Sequence, residues 1–464
     1  MAVLLAGLLS RRNDARALDV EVDASTSFAA YEIRTPGAGA FVARRRLVAN
    51  LGLRVVQALT DPDPSGRVIR VTLGGRLRLD QNFGQDCLLP SGMCVQATDR
   101  TDLSAYQPLA SDTRLDVPML HASIDGLPYG MAARIGRQTI ADAIGFARFD
   151  GAQVSIAPAT FVSIEAEVGT LVRRTTLAGS AAFEPQGTME IDLGGIDPRR
   201  IPWADPSRTT WLAGASLRGG PGGYLMAGAA FRQLWDGDGS IVARRLGVTL
   251  TSDIDTLLRL DGIAVVDLLD GTVITGLASA EVHDDRYSVR LSYDRQVPRF
   301  DPGAIWAWFY VAPIDQLRLS GSYRFTRDLE LGAAVRGRRA QLGGQNADDL
   351  DAGVEGWMRT RIERLSVNAS GFGWSGSLGP VAGVSLDLSR PIIPELALEA
   401  HVSLWHFDDA NRENSYGEVV SESVIAVATL TTQTRILVEL THAHNRVVGD
   451  RFRGIVTLLV ETWR

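Results

Sequence analysis

The sequence predicts an all-β fold: one antiparallel transmembrane β-barrel of about 22 strands, within a range of 18 to 22. Short turns are expected at one end and long loops at the other. Three observations carry this. Apolar and polar residues alternate with period two along most of the chain, the strand-like runs number an even 22, and the connections between them sort by length into two alternating sets. No run of eighteen apolar residues exists, which excludes a membrane-spanning helix.

The first seventeen residues read separately from the rest. Ala2–Leu9 is a short apolar core followed by Arg11, Arg12 and Asp14, and Ala15-Arg16-Ala17 has the form of an A-x-A cleavage site. Residues 1–17 are therefore expected to be a signal peptide and residues 18–464 the barrel. The strand runs follow in order: 20–32, 41–59, 67–80, 115–125, 131–138, 150–157, 160–172, 209–219, 223–235, 241–251 and 256–268. They continue as 272–282, 286–297, 315–325, 328–339, 351–362, 364–375, 379–389, 395–406, 418–430, 433–447 and 451–463.

Within these runs the two faces differ sharply. Ile69, Val71, Leu73, Leu77 and Leu79 alternate with Arg70, Thr72, Gly74, Arg76, Arg78 and Asp80; Tyr287, Val289, Leu291 and Tyr293 alternate with Arg286, Ser288, Arg290, Ser292 and Asp294. The same rule holds for Leu317, Leu319, Gly321, Tyr323 and Phe325 against Arg318, Ser320, Ser322, Arg324 and Thr326. Alternation alone would also suit a soluble sandwich. The connections discriminate. One set holds compact Asp/Gly/Pro turns at Asp61–Gly66, Asp125-Gly126, Ala157–Ala159, Gly219–Gly222, His283–Asp285 and Thr326-Arg327, and the other holds every long insertion, 81–114, 173–208, 298–314, 340–350 and 407–417.

The stretch Gly136-Arg137-Gln138, followed by Arg148-Phe149-Asp150-Gly151, resembles a hairpin of large bacterial outer-membrane porins of the alginate-export type. The resemblance covers roughly residues 115–170 and the remainder agrees in pattern only. It implies an outer-membrane location and passage of solutes down their gradient, without naming the solute. An outer-membrane protein of this kind would be surrounded by outer-membrane lipid and inserted by the barrel assembly machinery.

Candidate functional residues come from the polar register. Arg70, Arg76, Arg78, Arg134, Arg245, Arg290, Arg318, Arg324, Arg336 and Arg338 are expected to line a pore, where guanidinium groups pair with carboxylate or phosphate. The competing expectation is that inward acids, Asp19, Glu21, Asp23, Asp294 and Glu330 among them, neutralise these arginines. The chain has 47 basic and 54 acidic residues, a net −7, with every basic residue an arginine. That balance argues against nucleic-acid binding and does not by itself make a cationic pore.

Cys87 and Cys94 are close enough to close a loop as a disulfide and too few for a zinc site, so no metal and no cofactor is expected. Trp306, Trp308, Phe309 and Tyr310 suit an interfacial girdle or a ring-stacking entrance. His442 and His444, two apart on a strand, leave room for barrel-embedded lipid chemistry. The leading expectation is a non-enzymatic channel for small hydrophilic solutes, anions included. Its rival is a structural or surface-interaction barrel plugged by 81–114 and 173–208. Solute and oligomeric state are left open.

Overall fold

The computed structural model describes residues 18–34, 41–62, 64, 66–88, 112–172, 209–220, 224–254, 257–297, 313–340, 349–376, 379–408, 416–445 and 449–462. They form twenty-two strands in one sheet. The first eight are β1 (Leu18–Arg34), β2 (Phe41–Ala58), β3 (Arg70–Leu88), β4 (Asp112–Leu127), β5 (Met131–Asp142), β6 (Gly145–Ala159), β7 (Val162–Leu171) and β8 (Trp211–Gly219). Next come β9 (Leu225–Trp235), β10 (Ile241–Ile254), β11 (Leu258–Asp267), β12 (Thr272–His283), β13 (Tyr287–Gln296), β14 (Ile314–Thr326), β15 (Leu329–Ala340) and β16 (Asp349–Ile362). The last six are β17 (Leu365–Ser375), β18 (Val381–Ile393), β19 (Leu396–Asp408), β20 (Tyr416–Thr431), β21 (Thr434–Asn445) and β22 (Gly449–Thr462).

Each strand pairs antiparallel with its successor, and β22 pairs with β1 from Val22↔Thr462 to Arg34↔Asp450. The sheet therefore closes on itself and leaves no edge strand at the seam. Connections at one end are brief, including 160–161, 284–286, 327–328, 363–364, 394–395 and 432–433. The other end carries 89–111, 172–210, 297–313, 341–348 and 409–415.

The strands run further into the connections than the sequence indicated. Asp125-Gly126 belongs to β4, whose turn is the 3-10 segment Pro128–Gly130, and Ala157–Ala159 belongs to β6, which turns at 160–161. β5 and β6 are also longer than expected, meeting at 143–144. Backbone pairing continues for as long as a partner strand offers donors and acceptors, whatever the side chains. Turn-forming residues can therefore sit inside a ladder.

Exposure separates the two faces. Leu73, Ile135, Val168, Leu217, Val248, Val289, Leu319, Val335, Val354, Val384, Leu404, Val424, Leu440 and Val456 lie on one face and all are exposed. Arginines, acids and serines occupy the alternate positions and bond across strands. Ser27 meets Thr457, Arg46 meets Asp80, Ser288 meets Ser322 and Arg338 meets Asp351. The polar face is the interior, because Arg232 on β9 reaches Asp142 at the end of β5, a contact between non-neighbouring strands. Apolar outside and polar inside is the arrangement of a transmembrane β-barrel. Among the described residues the compact buried cluster, Ile140, Ala147, Phe149, Leu212, Leu234 and Ala243, lies inside the barrel and has a special origin.

Candidate lumen constriction

That cluster exists because the tip of the β5–β6 hairpin leaves the wall. Pairing of β4 with β5 stops at Leu120↔Arg137 and pairing of β6 with β7 stops at Phe149↔Leu171, yet β5 and β6 stay paired with each other to Asp142↔Gly145. The free tip turns inward and lies on the inner face of β8–β10. Ile140 and Phe149 pack on Leu212 and Leu234, and a Cβ placed on Gly247 of β10 would lie 2.8 Å from Ala143 Cβ and 2.9 Å from Ile144 Cγ1. The cavity left beneath the tip is only about 30 Å³.

Glycines permit the departure. Gly136, Gly151 and Gly169 sit side by side on β5, β6 and β7. Gly136 has φ +117°, and a Cβ there would strike the Leu120 carbonyl oxygen, with His121 Cα at 3.0 Å. At Gly169 a Cβ would lie 2.7 Å from the Phe149 ring, so the missing side chain is the space the ring occupies. A row of glycines across neighbouring strands lets a sheet bend sharply.

The Gly136–Gln138 and Arg148–Gly151 residues, singled out in the sequence as a motif, build this bend. Gln138 is 1% exposed and donates to the Gly151 carbonyl at 3.2 Å. Arg137 donates bidentately to Asp150, at 2.7 and 2.8 Å, and to the Val117 carbonyl at 3.0 Å. Phe149 is wholly buried. Arg148, on the face opposite Phe149, comes near Asp116 and Arg137.

Charge is balanced across the tip. On the wall side Arg232 donates to Asp142 at 2.9 Å and to the Gly145 carbonyl at 3.3 Å, with both ion-pair side chains over nine-tenths buried, and Glu167 of β7 stands close to both. On the other side Arg46 pairs with Asp80, Arg78 lies 3.7 Å from the same carboxylate, and Asp116 is within electrostatic range of Arg78, Arg137 and Arg148. Five arginines thus face five carboxylates, which holds the tip without giving the constriction a large net charge.

The ten arginines picked from the sequence all fall on interior positions of the register. Most have an acidic neighbour. Arg70 lies opposite Asp125, Arg76 is 3.5 Å from Asp23, Arg245 lies opposite Asp267, and Arg290 is 4.0 Å from Glu281. Arg318 and Arg336 both bond Glu355, at 2.9 and 2.8 Å; Arg338 bonds Asp351 at 2.7 Å; Arg324 lies opposite Glu330 and donates to the Asp285 carbonyl. Arg134, between Ser123 and Gln153, has no ion pair or hydrogen bond among the described residues, and its buried Nε is without a partner. A bulge on β4 opposite Arg76/Arg78 interrupts the ladder those two residues form.

Of the expected inward acids, Glu21 meets Arg54, Asp23 meets Arg76 and Glu330 meets Arg359. His442 and His444 sit on the outer face and both turn to Asp450, at 3.4 and 2.8 Å. No cluster of three or more potential metal ligands occurs among the described residues. Cys94, the aromatic segment Trp306–Tyr310 and most of the loops 81–114 and 173–208 fall outside the described residues, so the Cys87–Cys94 pair and a loop plug are not described either. Sequence reasoning missed Asp142, Glu167 and Arg232. Their meeting depends on a hairpin leaving its sheet, which no period-two pattern reports.

No family model and no curated protein matches the chain. Among solved structures it is similar to Acinetobacter baumannii OccAB4, at 9% identity over 97% of this chain and 100% of that one, with a TM-score of 0.43. It is also similar to the outer membrane protein OpdK from Pseudomonas aeruginosa (11%, 96% and 98%, 0.41) and to the translocation pore of the P pilus usher PapC (7%, 97% and 100%, 0.43). At these scores the likenesses decide nothing about what the chain does, and the fold rests on its own strand pairing.

Proposed function

We propose that the chain is an outer-membrane channel through which small hydrophilic solutes diffuse passively. The observation that carries this is the inverted barrel. A closed sheet of twenty-two strands turns its charged residues inward, its apolar residues to the bilayer, and folds one hairpin inward onto the inner face of β8–β10. Passage is then governed by the gap beside the hairpin and by the charges around it, not by turnover. Insertion would use the barrel assembly machinery, and the short-turn end would face the periplasm.

Membership of the alginate-export type rests on the Gly136–Gln138 and Arg148–Gly151 residues. Their support is that the same residues build the inward hairpin, an element a channel needs. The reading is non-enzymatic.

A mild preference for anions follows from where compensation is incomplete. Among the described residues Arg134 has no ion pair, and Arg318 and Arg336 share Glu355. Proteoliposomes placed in isotonic solutions of a pentose should swell faster than protein-free vesicles; equal rates would sink the channel reading.

A further inference from the structure

The outer face changes character where β13, β14 and β15 reach the long-loop end. Nearer mid-barrel its rows are apolar, and Leu291, Leu317, Leu319 and Val335 are all exposed. The last outward row before the loops is Arg295, Asp315 and Arg339, one residue from each strand and in register. Arg295 Nη1 donates to both Asp315 oxygens at 3.0 Å, and the Tyr293 hydroxyl, one row nearer mid-barrel, donates to the same carboxylate at 2.6 Å. Arg339, on the other side of Asp315, is exposed. A single carboxylate thus stands between two guanidinium groups. At the same end of β10, outward-facing Arg244 bonds the neutral amide of Gln233 at 2.8 Å. Among the described outward positions of β10–β15, three arginines therefore face one acid.

The far side of the barrel has the opposite character. Outward positions at the long-loop end of β20–β22 carry Glu418, Glu422 and Asp450, with His442 and His444 beside them. Charge on a lipid-facing surface is costly at mid-membrane and tolerated at headgroup level, so both arcs mark the headgroup zone. Only the β10–β15 arc keeps a positive excess there, and Asp315 holds its guanidinium in place without cancelling it. Guanidinium pairs bidentately with phosphate. Arg295 and Arg339 are two strand spacings apart, about 10 Å between backbones, which lets them grip one headgroup from both sides. The apolar rows toward mid-barrel continue the surface that acyl chains would cover.

We infer that the β13–β15 rim seats a phosphorylated lipid of the outer leaflet, its phosphate between Arg295 and Arg339 and its chains along Leu291, Leu317, Leu319 and Val335. The inference rests on the outer-membrane reading with the long-loop end outside, and it does not depend on conduction.

The test uses the full chain refolded in detergent micelles with EDTA, so that no divalent cation bridges lipid to the acidic arc. Diphosphoryl lipid A and its dephosphorylated form are titrated in, and bound lipid is counted by native mass spectrometry. The diphosphoryl form should bind at least about tenfold more tightly, the loss expected when charge-assisted hydrogen bonds are removed. Arg295→Gln/Arg339→Gln should abolish that preference, whereas Glu422→Gln, on the acidic arc, should keep it. Where the double variant does not show the heat-shifted gel mobility of a folded barrel, Arg339→Gln takes its place; it leaves the Asp315 bonds of Arg295 and Tyr293 intact and should still weaken the diphosphoryl form selectively. Excess inorganic phosphate should not displace the lipid. Equal affinity for the two lipids, a preference indifferent to the folded arginine variant, or displacement by inorganic phosphate overturns the lipid seat. Phosphate-dependent lipid binding without conductance would leave the seat standing and remove the channel, and conductance without that binding would do the reverse.

Discussion

Replacing Arg232 with Ala is the perturbation that bears most directly on the inward hairpin. Its ion pair with Asp142 is between side chains only 7% and 5% exposed, so the small value typical of surface pairs does not apply. Removing one member of a buried pair costs about 3–5 kcal/mol, chiefly because the other charge is left unpaired. Here the orphan would be Asp142, held next to Glu167. The burial of Phe149 and Ile140, about 1.5–3 kcal/mol each, still holds the tip. Displacement should accordingly rise by about two to three and a half decades without the hairpin being released outright.

Two readouts report it: limited proteolysis at 142–145 and open-channel current noise in a bilayer. Both should increase in Arg232→Ala. The double variant Asp142→Ala/Arg232→Ala carries no orphan charge and should lie closer to wild type than the single one. A single variant indistinguishable from wild type, or a double variant worse than the single, would refute the latch.

Further outcomes are expected elsewhere. Gly151→Val forces a side chain against the Val168 carbonyl in the glycine row and should abolish the heat-shifted gel band of a folded barrel, whereas Gly373→Ala, with nothing within 4 Å and no left-handed backbone, should keep it. Arg134→Ala should move the reversal potential in a salt gradient toward cations, while the double variant Asp23→Ala/Arg76→Ala, which removes two opposite charges together, should move it less. Ellman titration of the unfolded, unreduced protein should find no thiol if Cys87 and Cys94 are bridged, and two thiols would remove that expectation. Cysteine substituted at Asn346 should be labelled from outside intact cells and cysteine substituted at Pro64 should not; the opposite pattern would invert the orientation.

Strand number, closure and the sidedness of loops were legible because each follows from local rules. Side-chain alternation such as Ile69 to Asp80 reports which face is apolar, and the placing of Asp, Gly and Pro reports where chains turn. Strand ends were not legible. Asp125-Gly126 has turn composition but lies within a ladder, since pairing is decided by the neighbouring strand.

The interior hairpin was half legible. Gly136, Arg137, Gln138, Phe149 and Asp150 stood out as a motif, yet nothing local showed that they carry the chain out of the sheet. Arg232 and Asp142 are ninety residues apart in sequence. The rim arginines were hidden for a related reason. Arg295 becomes informative only once register puts it opposite Asp315, with Arg339 on the other side. The arginine register was legible, but its neutralisation by particular acids was not, because cross-strand partners are a property of register and of bulges such as the one opposite Arg76 and Arg78.

Single-channel recording of the purified protein in a planar lipid bilayer tests the central claim most directly. The account predicts discrete, ohmic conductance steps in simple salt, with step size increased in a variant whose β5–β6 tip is shortened at 142–145 and seam pairing between β1 and β22 is untouched. Folded, membrane-inserted protein that yields no steps in either form would contradict it.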